Sequence, residues 1–434
     1  MISIQKYPNM GKFLLMLVLL MTSAAAQNKI MPNEPVLAIV IIGNHTTDDN
    51  VIRRELLFKE GDIITETEVR ESQERLLNLY LFNRVEIYTI PQEQDGVLLV
   101  IEVTERLYFY PVPILSIQER DWDKWSYGLG VIHYNFRGQN ERIWAGMWFG
   151  YRPGFGFSFT DQWAGDSLHL TTGFRLSKVT FDHRTLDFEE RHIIAEATVG
   201  KWWNLYFKTE LTLSFDRLSV NDEFSPLLKS AHSTEYLWGA LFSVRHDTRD
   251  IYAYPQNGWF NRLFLFKSGI FQEFNNYYRV SADTRRYVSF GAVTFAARWY
   301  QSYLFGDIPI YRYNYIGFDE RIRGHFSEVR EGKHIHVAGL AMRFPIIPIR
   351  YFSLSLPGIP DLYTTNLKLG LSAGFFIDSG IVWDEAPEYQ WNKFRTGFGF
   401  GLHFRLPYVE VFRVDYALDR NFNGEIIAEI GVGF

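Results

Sequence analysis

Across residues 121–434 the chain repeats one pattern: short aromatic-rich segments in which apolar and polar side chains alternate, with no convincing helix between them. A period of two is the mark of strands with one apolar and one polar face. Residues 143–151 (IWAGMWFGY) and 293–300 (VTFAARWY) are examples. Arg298 and Arg405 sit between apolar neighbours, as residues facing a polar interior do. A soluble sandwich alternates similarly, but so long a strand series is unusual for one sandwich domain. A membrane barrel accommodates it: apolar side chains face lipid, polar ones line a lumen, and aromatics form girdles at the interfaces. Aromatic residues make up 17% of this chain, while 22% of its residues are charged, which fits that division. Sixteen strands would leave roughly 20 residues for each strand and its connection, enough for the 9–11 that cross a membrane. The last segment is the sharpest. Ile426, Ala428, Ile430, Val432 and Phe434 share one face, and an aromatic residue closes the strand.

The N-terminus carries the single long apolar run. Lys6 and Lys12 precede residues 13–21 (FLLMLVLLM), followed by Thr22, Ser23 and three alanines. A basic start, a short apolar stretch and an A-x-A exit predict a signal peptide over residues 1–26, cleaved after Ala26. The chain has no cysteine, which excludes disulfides, thiolate metal sites and a cysteine nucleophile. A net charge of −6 argues against nucleic acid as a partner.

Residues 35–106 read as a small α/β domain. Residues 36–42 form an apolar strand ended by Gly43-Asn44. Thr47 and Asp48 are N-cap candidates for a helix bearing Val51, Ile52, Leu56 and Leu57. Thr65 and Glu68 have capping-box spacing ahead of a second helix bearing Val69, Leu76, Leu77 and Tyr80. Val85, Ile87 and Thr89 alternate along a strand. Asp95-Gly96 is a hairpin signal, and Val97, Leu99, Ile101 and Val103 alternate on the return. The predicted order is β-α-α-β-β. Pro111 and Pro113 then interrupt the pattern and predict a linker over residues 107–120.

This first segment resembles a POTRA domain. The residues that carry the likeness are Ile39, Gly43, Asn44 and Thr47, then Ile52, Arg54, Glu55 and Leu56, then Gly61 and Asp62, then Leu76, Phe82 and Val85, and finally Val103 and Glu105. Three further segments resemble the BamA/TamA superfamily of outer-membrane assembly and translocation barrels. Asp247, Arg249 and Asp250 with Pro255 and Gly258 match its D-x-R-D…P-x-x-G hairpin. Ile322, Arg323, Gly324 and His325 match its V-R-G-[FY] loop, with His in place of the aromatic residue. Phe376, Asp378 and Gly380 match its F-x-D-x-G strand. The C-terminal strand with Val432 and Phe434 resembles the signal read when such barrels are assembled.

The resemblance implies an all-β transmembrane barrel of sixteen antiparallel strands over residues 121–434, behind one POTRA domain in the periplasm. It implies that Arg323, at the tip of a loop folded into the lumen, meets Asp378 on the barrel wall. It also implies partners: outer-membrane lipid, and client polypeptides or partner proteins bound through the POTRA domain, a domain type that recruits chains by strand addition. Clients would enter at a seam between the first and last strands, read here as residues 127–135 and 425–434, loosened by Gly431 and Gly433. A passive pore or a structural subunit is the competing reading.

No cofactor and no catalytic role is expected. The chain shows no phosphate-binding glycine loop, no G-x-S-x-G elbow and no H-E-x-x-H. His334 and His336 share a strand face as a metal half-site without an evident third ligand, so no metal is assigned. Asp48-Asp49 and Glu189-Glu190 read as solvated turns.

Overall fold

A computed structural model describes residues 34–431, apart from 93–95, 118–123, 166–167, 184, 273, 318–319, 327 and 356. The expected signal peptide, Asp95, Val432, Gly433 and Phe434 lie outside the described residues.

The N-terminal domain runs β1 (Val36–Ile42), α1 (Asp49–Arg53), α2 (Glu66–Asn78), β2 (Phe82–Gln92) and β3 (Gly96–Glu105). β3 lies in the middle, parallel to β1 and antiparallel to β2. The capping box forms: Thr65 Oγ1 accepts from Glu68 N at 3.2 Å, and Glu68 Oε2 accepts from Thr65 N at 2.9 Å. α1 stops at Arg53, short of Leu56 and Leu57. The chain tightens there into Glu55 N–Ile52 O and Leu56 N–Arg53 O turns, and Leu57 N donates to Ser72 Oγ at 3.0 Å instead of continuing the helix. Val51, Ile52, Ile64, Leu76, Leu81, Leu99 and Ile101 form a fully buried core, each such side chain contributing about 1.5–3 kcal/mol of transfer free energy.

The remainder is a sixteen-stranded antiparallel sheet curled into a barrel. Its first half comprises β4 (Phe109–Ile117), β5 (Trp125–Phe136), β6 (Glu141–Gly150), β7 (Gly154–Ala164), β8 (Leu170–Asp182), β9 (Glu189–Trp202), β10 (Phe207–Ser219) and β11 (Thr234–Asp247). Its second half comprises β12 (Gly258–Ser268), β13 (Tyr277–Phe290), β14 (Val293–Gly306), β17 (His334–Phe352), β18 (Leu367–Trp383), β19 (Arg395–Leu406), β20 (Glu410–Asp419) and β21 (Gly424–Ile430). Between β14 and β17 a long loop carries its own short pair, β15 (Asn314–Ile316) and β16 (Arg330–Gly332). Leu129, Met147, Leu213, Trp299, Leu340 and Phe400 are exposed on the outer face, and buried charges line the inner one. No helix among the described residues is long and apolar enough to cross a membrane.

The expected linker over 107–120 is a strand across Phe109–Ile117, paired along its length with β5. The first strand of the barrel is therefore β4, not the segment 127–135. Its prolines are compatible with this because β4 ends the sheet. Tyr134 N donates to Tyr108 O, so the even-numbered residues of β4 ladder with β5. Pro111 and Pro113 then turn their missing donors to the outer edge, where a sheet tolerates proline.

The domain docks at the end of the barrel marked by the β5–β6, β9–β10, β11–β12, β17–β18 and β19–β20 turns, and touches each. Asp48 N donates to Gly138 O, Arg75 NH1 to Leu205 O, Asn78 Nδ2 to Asp250 O, Asn83 Nδ2 to Thr365 O, and Arg106 pairs with Glu410. It thus lies across one mouth of the lumen.

Candidate functional site

The β14–β17 loop folds back into the lumen, and residues 322–325 form its tip. Arg323 is only 7% exposed, so its charge requires partners. Nε lies 2.6 Å from Asp378 Oδ2 and NH2 lies 2.8 Å from Asp378 Oδ1, a two-pronged contact that fixes orientation as well as charge. NH1 lies 3.2 Å from Asp415 Oδ2. The guanidinium also sits over the Phe376 ring, 3.6 Å from its centre. Phe376 and Asp378 come from β18 and Asp415 from β20, all pointing inward.

The wall is built to receive the tip at close range. A Cβ on Gly397 of β19 would stand 1.7 Å from Arg323 O, and one on Gly380 would stand 2.7 Å from Ile322 Cδ1. Gly324 has φ +94°, a conformation that costs a side-chain-bearing residue energy. Its N–H donates to Glu425 Oε1 at 2.7 Å, as does Phe326 N at 3.0 Å, so β21 also holds the tip. His325 packs by polar contacts: Nδ1 is 2.8 Å from Glu328 Oε1 and Nε2 is 3.3 Å from Thr396 O.

The hairpin motif forms a second structure pushed into the lumen, between β11 and β12. Asp247 binds Arg249 through Nε and NH2, both at 2.8 Å, and also binds Arg245. The Asp250 carboxylate accepts from the backbone of Ile251, Gln256 and Asn257 at 2.8–2.9 Å, which folds the turn. Gly258 closes it against Thr248 O. Pro255 O accepts from Arg343 NH2 at 2.6 Å. Tyr254 reaches further in, its ring between Arg343 and Arg405 and its hydroxyl 2.8 Å from His403 Nδ1. From the other side Asn78 of α2 grips the same turn, donating to Asp250 O at 2.6 Å and accepting from Tyr252 N at 2.7 Å.

Loop tip and hairpin meet at one point: Asp415, which binds Arg323, lies 3.8 Å from Nε2 of His403, the partner of Tyr254. Sequence reading missed Asp415, Glu425, Tyr254, Arg343, His403 and Asn78. The alternation Arg413-Val414-Asp415 places two charges on one strand face, a usable signal for Asp415. Asn78 carried none. Glu190 was read as solvated, yet it is buried beside His192 (3.1 Å), because it is the second residue of β9 and faces the lumen. His334 and His336 stand in an aromatic cluster with Tyr303, Trp383 and Tyr389.

A sequence model described as the Omp85 superfamily domain matches residues 135–426. This chain belongs to the Omp85 superfamily. A second model, the POTRA domain described as the surface antigen variable number repeat, matches residues 35–106. Among curated proteins, the outer membrane protein assembly factor BamA of Nitratidesulfovibrio vulgaris is 23% identical over 409 residues, covering 89% of this chain and 49% of its own. BamA of Neorickettsia risticii is 23% identical over 406 residues, covering 87% and 52%. The chain thus spans about half the length of the curated relatives it matches. Among solved structures, BamA from Haemophilus ducreyi lacking POTRA domains 1–3 aligns with TM-score 0.53 at 16% identity, covering 93% of this chain and 84% of that one. CdiB from Acinetobacter baumannii aligns with TM-score 0.51 at 13% identity, covering 91% and 73%. The fold is that of an Omp85 barrel, with a POTRA domain over residues 35–106.

One feature of this Omp85 barrel departs from an even cylinder. Ladders join each of its strands to the next in sheet order, but none joins β4 to β21 among the described residues. Gly431 N donates to Val411 O, so odd-numbered residues of β21 ladder with β20 and even-numbered ones face the seam. At the docked end the β4 side of the seam meets the start of β20: Tyr110 packs edge-on against Tyr408 at 5.9 Å, and Arg106 pairs with Glu410.

Proposed function

We propose that this chain assembles outer-membrane proteins or translocates polypeptides, with the β4–β21 seam as the lateral passage for its clients. The POTRA domain sits on the periplasmic side and receives them. One observation carries this reading: the seam is the only neighbouring pair in the barrel without a ladder among the described residues. In lipid a broken ladder is expensive, so a seam that begins without one opens at low cost. Pro111 and Pro113 keep that cost low by withholding two donors. For recruitment, β1 and β2 are the outer strands of the POTRA sheet, and strand addition to such an edge needs no cofactor. A passive pore accounts less well for a lumen filled by the Arg323 tip and the Tyr254 hairpin.

The test is a seam locked by a reducible bis-maleimide linker between Val112→Cys and Ile430→Cys, two residues that line one cavity in a chain without native cysteine. In cells dependent on this protein, locking is expected to deplete many outer-membrane proteins, and reduction to restore them. Normal growth and a normal outer-membrane proteome with the seam locked would refute the reading. Loss of one solute's uptake alone would favour the pore.

A further inference from the structure

A cavity of about 680 Å³ lies between the POTRA domain and the barrel wall at the docked end. Its charge is lopsided. Arg106, Arg142, Arg249 and Arg285 line it, against the single carboxylate of Glu410. Arg106 and Lys368 already share that carboxylate. Arg249 is bound to Asp247 and Arg285 to Asp283. Arg142 has no carboxylate partner among the described residues, and its buried Nε meets no acceptor. Tyr287 also lines the cavity; it is fully buried, yet its hydroxyl has no hydrogen-bond partner among the described residues. Just behind this wall Arg343, 2% exposed, leaves Nε and NH1 without acceptors. Unmatched buried donors are costly, and two of these residues, Arg142 and Tyr287, line one chamber, which is the condition for binding an oxyanion.

The opposite wall decides what carries that oxyanion. Val112 of β4, Val411 of β20 and Ile430 of β21 line the same cavity, so it opens on the seam. Outside that opening Leu115, Ile426 and Ile430 are exposed on the lipid face. A cationic wall within and an apolar gap leading to lipid match an amphiphile with a phosphate head. We propose that the cavity binds the phosphate headgroup of a phospholipid, with the acyl chains leaving through the β4–β21 seam. The phosphate accepts from Arg142 and from the Tyr287 hydroxyl. The site rests on the membrane placement of the barrel and not on its assembly role, so it can be tested without clients.

The test uses the full mature chain, delipidated in detergent, and counts bound ligand by native mass spectrometry. The probes are dihexanoyl-phosphatidylglycerol, dihexanoyl-glycerol without phosphate, and inorganic phosphate. Stoichiometric binding of the phospholipid, with the other two at least tenfold weaker, is expected. Arg142→Gln should weaken it roughly tenfold, the value of one charged hydrogen bond, and Tyr287→Phe several-fold. Both variants should keep the heat-modified gel mobility of the parent; if either unfolds, Arg142→Lys, which keeps the charge, supplies the comparison and should bind more tightly than Arg142→Gln in refolded protein. Equal binding of the phosphate-free lipid, or affinity unchanged in Arg142→Gln, would overturn the proposal. Inorganic phosphate binding as tightly as the lipid would overturn the lipid assignment. So would a client C-terminal peptide that outcompetes the lipid and loses this ability when amidated.

Discussion

Removing the Arg323 side chain tests how the lumen loop is held. In Arg323→Ala, Asp378 loses both of its short contacts, while Asp415 keeps Arg413 Nε at 3.1 Å. The cost therefore falls mainly on Asp378, a 5% exposed carboxylate left without its counter-charge. Breaking one side of a buried ion pair costs about 3–5 kcal/mol. Water entering the lumen beside Asp378 lowers this, so about 3 kcal/mol is expected, a shift of roughly 100-fold in the equilibrium between docked and released loop. Hydrogen exchange reads it directly. The amides of Gly324 and Phe326 donate to Glu425 only while the tip is docked, so both should exchange roughly 100-fold faster in the variant. Arg323→Ala combined with Asp378→Ala should recover part of the loss, because no uncompensated carboxylate remains. Arg323→Lys should lie between parent and Ala, since it keeps the charge but not the fork. Unchanged exchange in the single variant would refute the reasoning, as would a double variant no better than the single one.

Other perturbations reach the rest of the assembly. Pro111→Val with Pro113→Val restores two donors on the seam edge of β4, each worth about 0.5–1.5 kcal/mol if paired; exchange at Ile426, Ala428 and Ile430 should slow and client assembly should fall, and unchanged exchange would show that the prolines do not keep the seam open. Gly397→Ala places a methyl group against Arg323 O and should expose the loop to protease at a site the parent protects. Glu74 of α2 is pushed up to about 7 by burial and by the neighbouring Asp250. The docked state therefore holds a proton that a freed Glu74, near its ordinary 4.5, gives up. POTRA docking should weaken as pH rises from about 4.5 to about 7 and level off above, and Glu74→Gln should flatten the profile measured by cross-linking α2 to the β11–β12 turn.

Strand alternation and the capping box at Thr65 were legible because each depends on neighbours in sequence. The count of sixteen strands came with the family resemblance; length only allowed it, at roughly 20 residues for each strand and its connection. The linker misreading at Pro111 and Pro113 shows where this stops. Proline forbids a central strand but not an edge, and which strand is an edge depends on closure of the whole sheet. Site residues divide in the same way. Arg323 and Asp378 could be placed through a motif, whereas Asn78 and Tyr254 acquire partners 172 and 149 residues away, Asp250 and His403. Nothing local distinguishes that asparagine from one on an exposed helix end.

Among the described residues the two edges of the seam share no ladder and are held from within the lumen. β21 is tied by Glu425 to the loop tip, and by Glu429 to Arg321 of the same loop and to Arg413 of β20. β4 follows directly on Arg106, whose partner Glu410 begins β20 and also binds Lys368 of β18. A backbone ladder opens one bond after another, each at its own cost. A side-chain clamp is lost as a unit when its anchor moves. Freedom of the seam in this barrel is accordingly set by the position of the Arg323 loop and of the POTRA domain, two elements that can shift without breaking a strand pair. Arg323→Ala should then loosen β21 on the far side of the clamp, so its amides should exchange faster although the Asp378 and Asp415 partners of Arg323 lie on β18 and β20; protection of β21 that ignores the state of the loop would show that the seam is held some other way.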